Sequence, residues 1–359
     1  MRWLLTIRAL VGCIGIVTLV ALPTLAQTGI NGEIQGKVAD SSGGALPGVT
    51  ITLSGTSMMG TQTAVSEANG SYRFPALTPG PDYKVQFELP GFATLVRTGI
   101  AVTVRTTTTL NVSMEIASLS ETVTVSGESS VVDTANARAG ISLTSELLNE
   151  IPSSRDSYGL IAMASGAVRS SPSVGGSTAD LTQSVSVNGS GASRYNVNGA
   201  ETSAGSGNGR YGNYDAYEEI VVETGGAGAD TRRPGGGYAA ELIAKTGGNQ
   251  FHGMANAYWY DHRFVGDNLN ARLRASGLEE SGDIKSLRDI VGQVGGPIWR
   301  DHIWFFVSER EYFVVREVLG GDHLQRGRLQ PTVSNVSFQT NSQNKFQLFY
   351  SKEPKKDTE

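Results

Sequence analysis

Short runs of alternating apolar and polar residues, each closed by a glycine-rich turn, fill the chain from residue 32 to residue 351. Val49, Ile51 and Leu53 share one side of such a run; Thr50, Thr52 and Ser54 share the other. A period of two fits a half-buried strand and not a helix. Glycine supplies 45 of 359 residues, roughly twice its usual share of about 7%. That excess, with many Ser and Thr, favours turns and short strands over long helices. The pattern therefore predicts a mainly β chain.

The first 26 residues differ. Arg2 and Arg8 precede a nearly unbroken apolar stretch from Ala9 to Leu25, and Thr24-Leu25-Ala26 ends in a small residue. The stretch has the length of a secretory leader and is short for a spanning helix, so cleavage after Ala26 is expected. Leu10-Val11-Gly12-Cys13 looks like a lipidation site, but Arg8 leaves almost no apolar run before Cys13. Cys13 is the only cysteine, so the mature chain is expected to hold neither disulfides nor thiolate metal sites. Loss of Arg2 and Arg8 takes the net charge from −5 to −7, which gives no basic field for nucleic acid. No later segment is long and apolar enough to be a spanning helix. An exported chain of this kind is soluble, anchored or a β-barrel.

Composition divides the mature chain into four parts. Residues 27–116 read as a β-sandwich of about seven strands, with turn signals at 40–48, 68–70, 77–82 and 89–91. Residues 117–130 form a polar linker around one extended peptide, Glu121, Thr122, Val123, Thr124 and Val125. Such a peptide can add a strand to a partner's sheet edge. Residues 131–250 mix strands with a helix over 144–151, opened by Thr144 or Ser145 and stopped before Pro152. A second helical piece is expected over 157–165, and residues 184–201 read as a hairpin with Asn188-Gly189 and Asn198-Gly199 as turn signals. From residue 251 the runs grow aromatic. Phe346, Leu348 and Tyr350 share a face against Lys345, Gln347 and Ser351. A barrel wall facing lipid and a soluble sheet both alternate in this way, so periodicity leaves the two open.

The order of these pieces resembles the Oar-like TonB-dependent outer-membrane receptors. GEIQGKVADSSGGALPGVTITLSG followed by EANGSYRFPALTPG resembles a carboxypeptidase regulatory-like domain, of transthyretin or starch-binding type. SETVTVSGE is similar to the family's TonB box, and SELLNEIPSSRDSYGLIAMASGAV to the start of its plug. SVSVNGSGASRYNVNGAE resembles the plug hairpin, although Asn198 stands where Asp is usual before the glycine, and Ala-Ala-Glu at 239–241 replaces a more apolar strand. VGGPIWRDHIWFFVSER resembles the first long barrel hairpin. The resemblance implies a periplasmic prealbumin-like sandwich, an α+β plug domain over 131–250, and the first strands of an antiparallel transmembrane β-barrel over 251–359. It implies TonB at the inner membrane and outer-membrane lipid as partners. It also implies an extracellular ligand drawn from sugar oligomers, siderophores, peptides or exported protein. A plugged barrel needs roughly 22 strands. Residues 251–359 hold about four or five at barrel-strand length, so a fragment or an interrupted frame is expected.

Two rival classes fit parts of the sequence. An enzyme finds little support. His252, His262, His302 and His323 lack zinc-peptidase spacing. Gly207 to Gly212 fits GxGxxG without a preceding strand, and Ser342 to Lys345 fits SxxK ahead of a strand instead of a helix. No catalytic residue, metal or cofactor is expected. A secreted or surface carbohydrate-binding or adhesive protein would share the leader, the sandwich and the alternation. Tyr72, Phe74, Tyr83, Phe87 and Phe92 could then form a sugar platform, but burial is the commoner fate of such aromatics.

Overall fold

The computed structural model describes residues 30–117, 122–126, 139–202, 212–225, 237–264, 269–277, 284–317, 323–341 and 344–358, apart from positions 57, 59, 152, 154, 171, 172, 174, 175 and 182. The leader segment, Glu121 and the Gly207 loop therefore lie outside the described residues.

The first unit is a two-sheet sandwich. In one sheet β1 (Gly32–Asp40) pairs antiparallel with β4 (Ser71–Leu77) and parallel with β7 (Thr107–Thr109) and β8 (Val112–Met114). In the other, β3 (Gln62–Val65), β2 (Thr50–Gly55), β5 (Gly80–Glu88) and β6 (Thr94–Val102) lie in that order. The expected seven strands become eight because the Thr-rich segment after residue 106 breaks into two short pieces. Val49, Ile51 and Leu53 all face inward and are fully buried. Tyr72, Phe74, Tyr83 and Phe87 join the same core, and Phe92 packs against it. Tyr72 donates its hydroxyl to the Leu110 carbonyl at 2.7 Å, which satisfies its one polar atom. The aromatics thus form the core and leave no stacking platform. Gly36 is required by close approach: a Cβ there would lie 1.9 Å from the Leu110 carbonyl oxygen.

The short strand β9 (Thr122–Ser126) closes the second sheet by pairing with β6. A middle unit follows. Its main sheet runs β10 (Ala139–Thr144), β15 (Tyr217–Gly225), β16 (Tyr238–Ala244), β13 (Ser193–Val197) and β14 (Ala200–Glu201). A small second sheet pairs β11 (Ala167–Arg169) with β12 (Val185–Val187). Helix α1 (Ser145–Glu150) starts where Thr144 accepts a bond from the Leu147 amide, and it ends before Pro152. Helix α2 (Ser157–Ile161) is shorter than the sequence suggests; Asp156 caps it by accepting from the Gly159 amide. Every residue of β16 is buried. Its Ala-Ala-Glu stretch is thus a fully covered strand despite its modest hydrophobicity.

The C-terminal part is one antiparallel meander. It contains β17 (His252–Asp261), β18 (Ile284–Trp299), β19 (Ile303–Glu317), β20 (Leu324–Leu329), β21 (Thr332–Asn341), β22 (Asn344–Lys352) and β23 (Lys355–Thr358); a one-turn helix α3 (Ala271–Ala275) sits in the β17–β18 connection. The seven strands make five rungs. β20 and β21 both pair with β19, the first with Tyr312–Glu317 and the second with Ile303–Glu309. β22 and β23 continue each other in the same way. The breaks fall at Pro331 and Pro354, which have no amide donor for a ladder. Five rungs agree with the number expected from length.

The outer face of this wall bears on the alternative that periodicity left open. Toward the end with the turn 300–302, where β21 also passes into β22, Val294, Ile298, Val307, Phe338, Phe346, Leu348 and Tyr350 are exposed, Leu348 at 69%. The inner face carries Asp289, Ser308, Arg310, Asn335 and Ser337, all nearly inaccessible. Toward the longer connections 262–283 and 318–323 the outer face turns charged, with Arg288, Glu311 and Arg328. The inner face mixes its polar groups with buried Leu287, Trp304, Phe306, Tyr312 and Val314, while the outer face leaves large apolar side chains uncovered, as a wall facing lipid does and a soluble sheet does not.

Candidate functional site

The middle unit packs against the inner face of the wall, and a seam of buried ions joins them. Arg310 on β19 is 1% exposed and Asp289 on β18 is 2% exposed. Arg310 donates from Nε and Nη2 to the two Asp289 carboxylate oxygens at 2.8 and 2.9 Å. Its remaining donors reach across to the backbone carbonyls of Gly212 and Arg155, each at 3.0 Å. Arg155 comes from the middle unit and bridges Asp289 at 2.8 Å and Asp215 at 2.7 Å. The Tyr258 and Tyr214 rings lie against its guanidinium, 3.9 and 5.0 Å from centroid to Cζ. Burial alone would lower the Arg155 pKa; Asp289 and Asp215 outweigh it and hold the pKa above its usual value. A second anchor joins Arg316 of the wall to Asp180, which is wholly buried, at 2.5 Å. Tyr312 donates to the Gly176 carbonyl beside it at 2.7 Å. The hydrophobic core is also continuous, since Phe306 and Val333 of the wall pack among Leu143, Tyr195 and Val222. Sequence reasoning missed this seam because its partners lie far apart in the chain. The one available signal was charge at inward positions of an aromatic strand, Asp289 and Arg310.

The two Asn-Gly pairs both form turns, but not one shared hairpin. Asn188 and Gly189 have φ of 51° and 80°, and Asn198 and Gly199 have 48° and 78°. Two successive positive φ values are what a type I′ turn needs. The second pair closes β13 onto β14, with Val197 opposite Ala200. The first pair only hands the chain onward, because β12 pairs with β11 and not with β13. The reading of 184–201 as a single hairpin is corrected accordingly: a local turn signal does not choose the distant strand. Asn198 also clasps β16. Its amide donates to the Leu242 carbonyl, and its Oδ1 accepts from the Ala244 amide at 2.9 Å. Its Nδ2 is buried without a partner, the local consequence of Asn where the resemblance leads one to expect Asp. Asn198→Ala should destabilise the middle unit by about 2 kcal/mol, by orphaning the Ala244 amide and disfavouring positive φ. Denaturant unfolding checks this; an unchanged midpoint would show that the clasp adds nothing.

A third junction fixes the sandwich to the middle unit. The Val104 amide donates to Glu219 Oε2 at 2.9 Å. Arg105, held at φ 57°, pairs with Glu223 at 3.0 Å and with Glu241 at 3.7 Å. Glu219 also accepts from Ser142 Oγ on β10. Glu241 accepts from the Gly199 amide and Asn196 Nδ2. Burial pushes the Glu219 and Glu241 carboxyls above their ordinary range, and these hydrogen bonds only partly offset it. Nothing in the sequence marked Arg105, a single cation in a threonine-rich loop.

The extended peptide lies at the edge of the sandwich. Thr122–Ser126 runs parallel to β6, with Thr94 opposite Thr122 and Thr98 opposite Ser126. It is a strand, as the sequence suggests, but it is added to the chain's own sheet. The four histidines do not converge. His302 stacks on Trp299 at 4.4 Å, and His262 sits by Asp261. Among the described residues no cluster of His, Cys, Asp or Glu could hold a metal ion.

Comparison with known proteins gives three similarities. Residues 33–115 match the carboxypeptidase regulatory-like domain family. Over 268 residues, 72% of the chain, the sequence is 29% identical to the TonB-dependent transporter Oar of Myxococcus xanthus. The chain spans about a quarter of that relative's length, 24%. Two solved structures align at lower similarity. The siderophore receptor PirA of Acinetobacter baumannii aligns at 15% identity and a TM-score of 0.46, over 61% of this chain and 32% of the receptor. The ferric enterobactin receptor PfeA of Pseudomonas aeruginosa aligns at 14% identity and a TM-score of 0.41, over 60% and 33%.

Proposed function

We propose that this chain, related over most of its length to an Oar-type TonB-dependent transporter, works in energised transport across the outer membrane of a Gram-negative cell. The observation that carries the reading is the inside-out wall with a folded unit locked against its polar side. A wide pore leaks unless something fills it, and the middle unit would be that filling. The plug would then have to move for a ligand to pass. The outer membrane sustains no useful potential of its own, so the work must come from the inner membrane. TonB would deliver it by pairing edge-on with the peptide at 121–125, where recognition rests mostly on backbone groups.

The position of the sandwich supports a periplasmic orientation. Outer-membrane barrels keep short turns on the periplasmic side and longer loops outside. Asn249, just after the middle unit, is bonded to Asp301 in a short turn at 2.7 Å. Thr56 of the sandwich lies beside Gly248. The sandwich is thus at the short-turn end. A secreted sugar-binding protein is the weaker reading, because the sandwich aromatics are core and the apolar wall would be wet.

Membrane fractionation tests the proposal. The complete receptor should stay with the outer membrane through salt and carbonate washes and leave only with detergent. Recovery in the periplasm or medium would overturn it.

A further inference from the structure

We propose that the free edge of β6 is an intramolecular docking site for residues 122–126, so that the sandwich stores the motor peptide and competes with TonB for it. This rests on the reading of that peptide as a TonB box. Three features of the structure lead here.

The first is the acceptor. In the sheet order β3-β2-β5-β6-β9, β6 has β5 on one side and only β9 on the other. Without β9, the Thr94–Thr98 part of β6 would present unpaired amides and carbonyls on that side. Open edges of this kind are normally blunted by proline, lysine or a bulge. β6 has neither proline nor lysine; its register shift against β5 lies further on, between Arg97 and Ile100, and β9 covers the straight part before it.

The second is the tether. The Ala93 amide donates to the Glu115 carbonyl at 2.8 Å, and the Ala117 amide to the Gly91 carbonyl at 3.0 Å. The chain entering the linker is therefore pinned beside the residues that open β6. Residues 118–121 alone separate this pinned point from Thr122. So short a link holds the peptide at an effective concentration of about millimolar or higher. A partner recruited from solution must compete against that.

The third is the chemistry of the shared groups. In a parallel ladder, alternate residues direct their amides and carbonyls to one neighbour. A docked five-residue strand has about half of its backbone groups committed to β6. Strand addition to another protein also works through one edge of the peptide. We take the edge that faces β6 to be the one TonB uses, so that docking and capture exclude each other; capture through the other edge would leave binding equal in the docked and undocked states.

Cysteine cross-linking in the full chain, purified in detergent, tests the proposal. The only native cysteine is Cys13, in the leader segment, so introduced pairs report cleanly. Thr94→Cys with Thr122→Cys places the two thiols at paired positions of the ladder. Thr94→Cys with Ser126→Cys separates them by four residues of strand, about 13 Å, beyond disulfide reach. The first pair should cross-link under mild oxidation and the second should not. Binding of the purified periplasmic domain of TonB should be at least tenfold weaker in the oxidised first pair than in the same protein reduced. Equal binding in the two redox states would overturn the proposal, as would absence of the register-specific cross-link. The unsubstituted chain provides the separate control: its failure to bind the TonB domain would remove the TonB-box reading itself, whatever the cross-linking shows.

Discussion

Val123→Pro in the complete receptor should abolish energised uptake, by at least about a hundredfold, while the protein still reaches the outer membrane. Proline removes an amide donor and fixes φ near −65°, so a strand that works through its backbone loses a rung at its centre. Glu121→Pro should act in the same way at the start of the peptide. Val123→Thr is the matched control. It keeps the amide and the extended preference, and uptake should survive it. Normal uptake by either proline variant would end the assignment of this peptide to TonB.

Arg310→Met should loosen the plug within the wall, at a cost of about 3–5 kcal/mol, the usual result of leaving one member of a buried ion pair behind. Four hydrogen bonds leave with the guanidinium, two to Asp289 and one each to the Gly212 and Arg155 carbonyls. Methionine fills much of the space and restores none of them. Asp289 loses two hydrogen bonds and keeps only Arg155 as a charged partner, while Arg155 also holds Asp215, so removing the Asp289 charge as well, in Asp289→Asn with Arg310→Met, should recover part of the loss. Unfolding of the detergent-solubilised receptor, followed by proteolysis of the middle unit, reads both variants. A single-variant loss below about 1 kcal/mol would show that the seam does not hold the two bodies together.

What could be read from the sequence was local. Val49, Ile51 and Leu53 fixed a strand face because period two needs no partner to be visible. Thr144 and Pro152 bracketed α1 for the same reason, and both Asn-Gly pairs adopt the backbone that those residues favour. Periodicity could not say which face is wet: Leu348 and Phe346 alternate equally well in a soluble sheet, and only the burial of Asp289, Arg310 and Asn335 on the other side gives the sign. Pairing choice was equally hidden. Asn188-Gly189 turns the chain as expected, yet β12 pairs with a strand formed near residue 168. The ion seam and the Arg105 junction join residues from separate parts of the chain, where no spacing rule applies.

Glu219 joins two stretches of chain that flank the peptide proposed to meet TonB. Val104 lies before that peptide and Ser142 after it, and both bond to the same carboxylate. On the sandwich side the chain stays tied to β1 through β7 and β8, so a pull of the proposed kind would load the sandwich there as one body, whereas beyond the peptide it would load β10 directly. Whichever side yields first, the Val104 and Arg105 contacts or the ladder of β10 on β15, would then decide whether the sandwich swings aside or β10 peels from its sheet.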